Sequence, residues 1–193
     1  MNNNRGAATR AAILQSAINL FIQKGYNAVT MHDICIATGL SRGGLYRHFA
    51  STKEIMSAII DEEQSYADEQ AKLAIKSGHD AVKLLDSFLE SQYNYFKSTI
   101  SKMQAADNQY STADSESIIS SRQRMLRAIK RVSDIVERGQ NEGYFIEGDA
   151  TEFAWHIMIY ILGLRNQNAV FDFDDAFLRD QFVFIKKLIM KRT

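Results

Sequence analysis

Arg42, Gly43, Gly44, Tyr46, Arg47 and His48 stand close together in the stretch TMHDICIATGLSRGGLYRHF, residues 30–49. An arginine can donate two parallel N–H bonds to guanine O6 and N7, while tyrosine, arginine and histidine side chains are chemically suited to phosphate oxygens. A residue with no side chain lets a second backbone approach closely. Two glycines in a row cost a helix about 1 kcal/mol each relative to alanine, so something other than helix stability is expected to account for them. The chemistry this set supports is recognition of duplex DNA, and the plain alternative is a charged solvent face on an ordinary αα-turn.

Positioning these residues takes two short helices. Thr30 can cap the first, with Met31, Ile34 and Ala37 facing inward and Asp33 in its positively polarised first turn. Gly39 can supply the left-handed residue that ends it, Leu40 packs behind the turn, and Ser41 can cap a second helix anchored by Leu45 and Phe49. Two short helices joined by a tight glycine-containing turn form a helix-turn-helix. Ahead of them, a helix capped by Thr9 and running to about Lys24 carries Ile13, Ala17, Leu20 and Phe21 at core-facing spacing. Gly25 stops it, and Tyr26 and Val29 lie in the following turn. Residues 9–49 therefore read as a three-helix head that needs a neighbouring element to complete its core.

The chain has 193 residues, no proline, 46% apolar content and 10 glycines, which favours a helical build over a turn-rich sheet protein. Its formal net charge is zero, but the charge is unevenly spread. Residues 1–53 hold six basic side chains against the single acid Asp33, and the remainder holds 17 basic against 22 acidic. That asymmetry fits a polyanion-binding head on a non-binding body. Cys35 is the only cysteine, so no internal disulfide forms, and a small buried side chain in a reducing compartment is expected. The start MNNNRGAATR lacks an apolar signal core and no run of 18 apolar residues occurs, which points to a cytoplasmic protein.

Beyond the head, Ser51 and Glu54 form a capping box for a long helix over 52–76, with Ile55, Ile59 and Ile60 on its inner face. The domain division expected is 1–53 and 54–193. Further helices are expected at about 79–106, with a bend near Ser98, and at 114–139, 149–167 and 173–191. Between the first two of these, DNQYSTADSES reads as a polar, mobile linker. Arg122, Arg124, Arg127, Lys130 and Arg131 read as a solvated helix face. The helices over 149–167 and 173–191 carry more apolar surface than one chain can bury, as in a homodimer joined through a four-helix bundle. Tyr93, Phe96, Met103, Tyr110, Met125, Trp155 and Tyr160 are candidates to line an apolar cavity, with Arg122, His156, Arg165 or Asn166 as polar contacts.

Over residues 9–60 the sequence resembles the TetR family of bacterial transcriptional regulators. The matching pattern is Ile13, Ala17 and Leu20-Phe21, then Gly25-Tyr26, Thr30, Ile34, Ala37 and Gly39-Leu40-Ser41. Gly43, Leu45-Tyr46, His48-Phe49, Ser51 and Glu54-Ile55 complete it. The resemblance implies an all-α homodimer, with an N-terminal helix-turn-helix head joined by a long helix to a C-terminal ligand-binding and dimerisation domain. It implies that Arg42, Gly43, Gly44 and Tyr46 approach bases, that Thr30, Tyr46, Arg47 and His48 meet the DNA backbone, and that His32 serves either role. It also implies repression of an operator, relieved by a small-molecule effector, with no cofactor. Three departures stand out. Thr52 holds the place of a frequent lysine, so that a phosphate contact has either moved by one residue to Lys53 or been lost, Gly44 replaces a small residue with a side chain, and Ile36 replaces a commonly polar one.

Two other classes compete with this reading. An enzyme lacks a foothold, because His32, His48, His79 and His156 follow no metal-ligand spacing and Cys35 has no evident histidine partner. A helical adaptor that does not bind DNA would explain the surplus apolar surface as well as a dimer does.

Overall fold

Without proline to interrupt them, the helices of this chain run long and follow one another with short connections. In the computed structural model, which describes residues 2–192 and the side chains from Arg5 onward, the elements are α1 (Asn2–Lys24), α2 (Met31–Thr38), α3 (Arg42–Tyr46), α4 (Thr52–Lys76), α5 (Ala81–Lys97), a 3-10 turn (Thr99–Met103), α6 (Gln104–Ser111), α7 (Ser115–Asn141), α8 (Ala150–Phe171) and α9 (Asp175–Ile189). One isolated antiparallel bridge pairs Phe145 with Met190. Residues up to 66 together with 102–118 form one compact unit, and 67–101 with 119 onward form the second.

In the first unit, α1 buries Ile13, Leu14, Ala17, Ile18 and Phe21 against Val29, Ile34, Leu45 and Phe49 of the following elements. The helix does not start at Thr9. It runs through from Asn2, and the Thr9 hydroxyl donates to the Arg5 carbonyl one turn back at 2.9 Å. A threonine satisfied in this way sits inside a helix instead of capping it.

The segment expected as a mobile linker is also mostly helical, with only residues 112–114 between α6 and α7. Its order comes from a contact distant in sequence. Tyr110, 2% exposed, packs edge-on against Tyr26 at 5.3 Å between ring centroids, and Tyr26 in turn lies 5.9 Å from Phe21. The Asn27 N–H donates to Gln109 Oε1 at 3.1 Å. α6 is thus the element that completes the core of the small head. The bend near Ser98 is present, with Ser98 in extended conformation between α5 and the 3-10 turn.

The second unit has its own core, in which Leu85 and Leu89 of α5 meet Val132 and Val136 of α7, Ile161 of α8 and Ile185 of α9, with Phe145 fully enclosed. α7 continues to Asn141 and gives way to a turn at Gly143, while α8 extends four residues past the expected end to Phe171.

Replacing Tyr110 with alanine removes a buried aromatic ring from the head and is expected to destabilise it by about 3 kcal/mol. Urea unfolding of the Tyr110→Ala variant measures this, and a loss below about 0.5 kcal/mol would show that α6 is dispensable to the head.

Candidate nucleic-acid interface

The positions of α2 and α3 are set by local hydrogen bonds that hold the turn between them rigid. Thr30 caps α2 by accepting from the Asp33 N–H at 3.2 Å, and the Asp33 carboxylate accepts from the Thr30 N–H at 2.8 Å, a reciprocal capping box. Lys24, the last residue of α1, places its Nζ 2.7 Å from the other oxygen of Asp33. These donors, Lys24 first and then Thr30, hold the Asp33 carboxyl well below its ordinary range. Gly39 closes α2 at φ 69°, where a side chain would be strained. Ser41 then caps α3 by accepting from the Gly44 N–H at 3.2 Å. Leu45 and Phe49, 0% and 3% exposed, bolt α3 and its following turn to the head.

With its apolar side pinned, α3 presents Arg42, Gly43 and Tyr46 outward, followed by exposed Arg47 and half-buried His48. Gly43 has nothing within 4 Å of where a Cβ would stand, so its surface is open. Gly44 is turned inward instead, where a Cβ would come within 3.2 Å of the Ser41 hydroxyl. Its missing side chain therefore makes room for the cap. Thr30 is exposed, but its hydroxyl is engaged with Asp33 on both sides, accepting from the backbone N–H and donating to the carboxylate at 2.6 Å. His32 and Ile36 are four residues apart on the exposed side of α2, and Ile36 is 69% exposed.

Of the six basic side chains up to Lys53, three are paired within the fold, and Arg5, Arg42 and Arg47 have no carboxylate partner among the described residues. Arg10 pairs with Glu62 and lies over the Phe49 ring, Lys24 pairs with Asp33, and Lys53 pairs with Asp114 and Glu116. Arg42 and Arg47 are exposed and have no carboxylate partner among the described residues. On α7, Arg122 is likewise exposed with no carboxylate partner among the described residues, but other members of the basic run are engaged. Arg131 is held by Asp68, Lys130 by Asp134, and Arg124 donates to Ser121.

The residues expected to line an effector cavity fall into both units. Met103 and Tyr110 belong to the first, where both are buried. Tyr93 and Phe96 lie in the core of the second, edge-on to Phe182, and the Tyr93 hydroxyl donates to Asp175 beneath the charged groups of Lys97 and Arg179. Met125 is half-buried beside that core, and the Tyr160 hydroxyl donates to Gln181. Arg122, Trp155 and His156 are exposed. His156 lines a cleft of about 270 Å³ with Asp149, Glu152 and Phe153. Arg165, one of four polar candidates between which the sequence does not choose, has its guanidinium 3.6 Å over the Tyr95 ring, donates to Gln92 Oε1 at 2.8 Å and keeps Nε buried without an acceptor. Among the described residues, no group of three or more His, Cys, Asp and Glu side chains is placed to hold a metal ion, and no helix is long and apolar enough to cross a membrane.

Two capped helices, a glycine turn and an exposed, uncompensated basic edge define a helix-turn-helix protein. Residues 13–59 match the model of the bacterial regulatory proteins of the tetR family. The sequence is 42% identical over 52 residues to an uncharacterized HTH-type transcriptional regulator, YfiR, of Bacillus subtilis, covering 27% of this chain and 25% of that one. It is 30% identical over 88 residues to the HTH-type transcriptional regulator UidR of Escherichia coli, covering 46% and 45%. The matches thus span between a quarter and about half the length of these curated relatives. The fold is similar almost throughout to a putative transcriptional regulator from Saccharomonospora viridis solved in complex with choline, with a TM-score of 0.82, 23% identity and coverage of 96% of this chain and 100% of that one. The helix-turn-helix head is thus that of the bacterial regulatory proteins of the tetR family, and the chain as a whole shares the fold of solved transcriptional regulators.

The capping box supplies a pH test. Because Asp33 has a lowered carboxyl pKa in the fold, its stabilising contribution is full above the ordinary value of 3.8 and fades as pH falls below it. The difference between thermal melts of the wild type and Asp33→Asn is expected to hold from pH 6 to about 4 and to shrink progressively as pH falls from there toward about 2. A difference that stays constant over that range would show that the Asp33 charge does not support the cap.

Proposed function

We propose that this protein is a repressor that binds an inverted-repeat operator as a homodimer and is released by a small-molecule effector. The observation that carries the reading is the pair of exposed basic side chains, Arg42 and Arg47, left without carboxylate partners at α3 while Arg10, Lys24 and Lys53 are paired within the fold. In this reading, Arg42 donates to a guanine edge beside the open surface of Gly43. Tyr46, Arg47 and His48 hold phosphates at the groove margin, and His32 approaches from α2.

What α8 and α9 expose supports dimerisation through them. Trp155, Ile159 and Val170 lie along one side of α8, and Phe177, Phe184 and Leu188 along one side of α9. This is more apolar surface than an isolated helix pair leaves in water. A dimer uses two half-sites when its recognition helices stand about 34 Å apart, one turn of duplex. An effector that favours another spacing lowers operator affinity without touching the DNA surface. For the effector contact we favour Arg165, whose buried Nε and uncompensated charge suit a ligand with an acceptor or anionic group.

Binding to a duplex selected from a random pool tests the assignment. Arg42→Ala is expected to lose discrimination between the selected and a random duplex, by roughly 1–3 kcal/mol. Arg47→Ala is expected to weaken both duplexes alike and to lower the salt slope by about 0.9. Equal losses on the two duplexes for Arg42→Ala would remove that residue from base reading.

A further inference from the structure

Lys53 stands in the first turn of α4, next to the turn that follows α3, yet its Nζ is directed to carboxylates, 2.8 Å from Asp114 Oδ2 and 2.6 Å from Glu116 Oε2. Asp114 is fixed in turn, since its other oxygen accepts from the Ser117 N–H at 2.8 Å at the start of α7. The stretch bearing both acids is docked on the head through the Tyr26–Tyr110 edge contact and the Asn27–Gln109 bond. The result changes the electrostatics read from residues 1–53. Residues up to 66 together with 102–118 carry seven basic and eight acidic side chains, so the cationic excess of the N-terminal segment is cancelled within its own unit.

An ammonium held by two carboxylates makes the same charge-assisted bonds that the free oxygens of a phosphate offer. The same group cannot serve both at full strength. We propose that Asp114 and Glu116 are an intramolecular competitor for Lys53: while the pair is closed, Lys53 makes no phosphate contact, and when it opens, Lys53 adds one. Asp114 immediately precedes α7 and Glu116 lies in its first turn, and the helix from Ile119 onward belongs to the second unit. Any change that shifts the first turn of α7 therefore alters how many cations the head offers to DNA. The proposal rests on the DNA-binding reading above.

The test is a cycle of variants on a random-sequence duplex, titrated at several salt concentrations. Asp114→Asn keeps a residue able to cap α7, and Glu116→Gln removes the second charge without changing shape. The double variant is expected to bind about five- to tenfold more tightly at 0.1 M salt and to steepen the salt slope by about 0.9, the signature of one added phosphate contact. Adding Lys53→Met to it is expected to abolish both gains. No gain in the double variant, or the same gain with Lys53→Met present, would overturn the competition, the latter by showing only a general loss of negative charge. If neither the wild type nor the double variant binds duplex at any salt, the DNA-binding reading itself falls. Binding by the double variant alone would support the competitor at its strongest.

Discussion

Charge compensation inside a small helical head is the constraint on which the rest of this structure depends. A basic side chain near a carboxylate of its own fold is largely neutralised as a ligand for anything else, and one without such a neighbour remains available. Arg10, Lys24 and Lys53 fall in the first group. Arg42 and Arg47 fall in the second, at the one element whose inward face is fully committed to Leu45 and Phe49. Within the helix-turn-helix itself, the cations left without a carboxylate partner, Arg42 and Arg47, stand at α3, while the unit as a whole is near neutral. An overall charge of zero and a nucleic-acid surface are compatible for this reason.

The features legible in the sequence are those decided within about four residues. Thr30 with Asp33, Gly39, and Ser41 with the Gly44 N–H are local hydrogen-bonding or dihedral requirements, and each is met in the fold. α4 likewise has the bounds its capping residues indicate. Features decided at a distance were not legible. The stretch 107–117 is polar enough to read as a linker, and it becomes helical because Tyr110 meets Tyr26 across 84 positions. The partners of Lys53 lie 61 and 63 positions away. Gly44 looked like an opening for DNA, and only the direction of its missing Cβ shows that it serves the Ser41 cap.

The second unit presents a different balance. Its core is filled by aliphatic and aromatic side chains whose polar atoms find partners, as with Tyr93 and Asp175 or Tyr160 and Gln181. Arg165 departs from that pattern, a charge flat against Tyr95 with a buried donor unused. Exposed apolar residues on α8 and α9, Ile159 and Phe184 among them, are the counterpart on the outer face. The buried unused donor and the exposed apolar side chains are each a cost to an isolated monomer, and the proposed effector and dimer would relieve them.

Hydrogen–deuterium exchange of the whole chain with and without duplex DNA tests the central claim most directly, because it reports which backbone is covered. The account predicts slowed exchange concentrated in residues 30–48, with no change along the basic run of α7 from Arg122 to Arg131. Protection centred on that α7 run, with residues 30–48 unchanged, would contradict it.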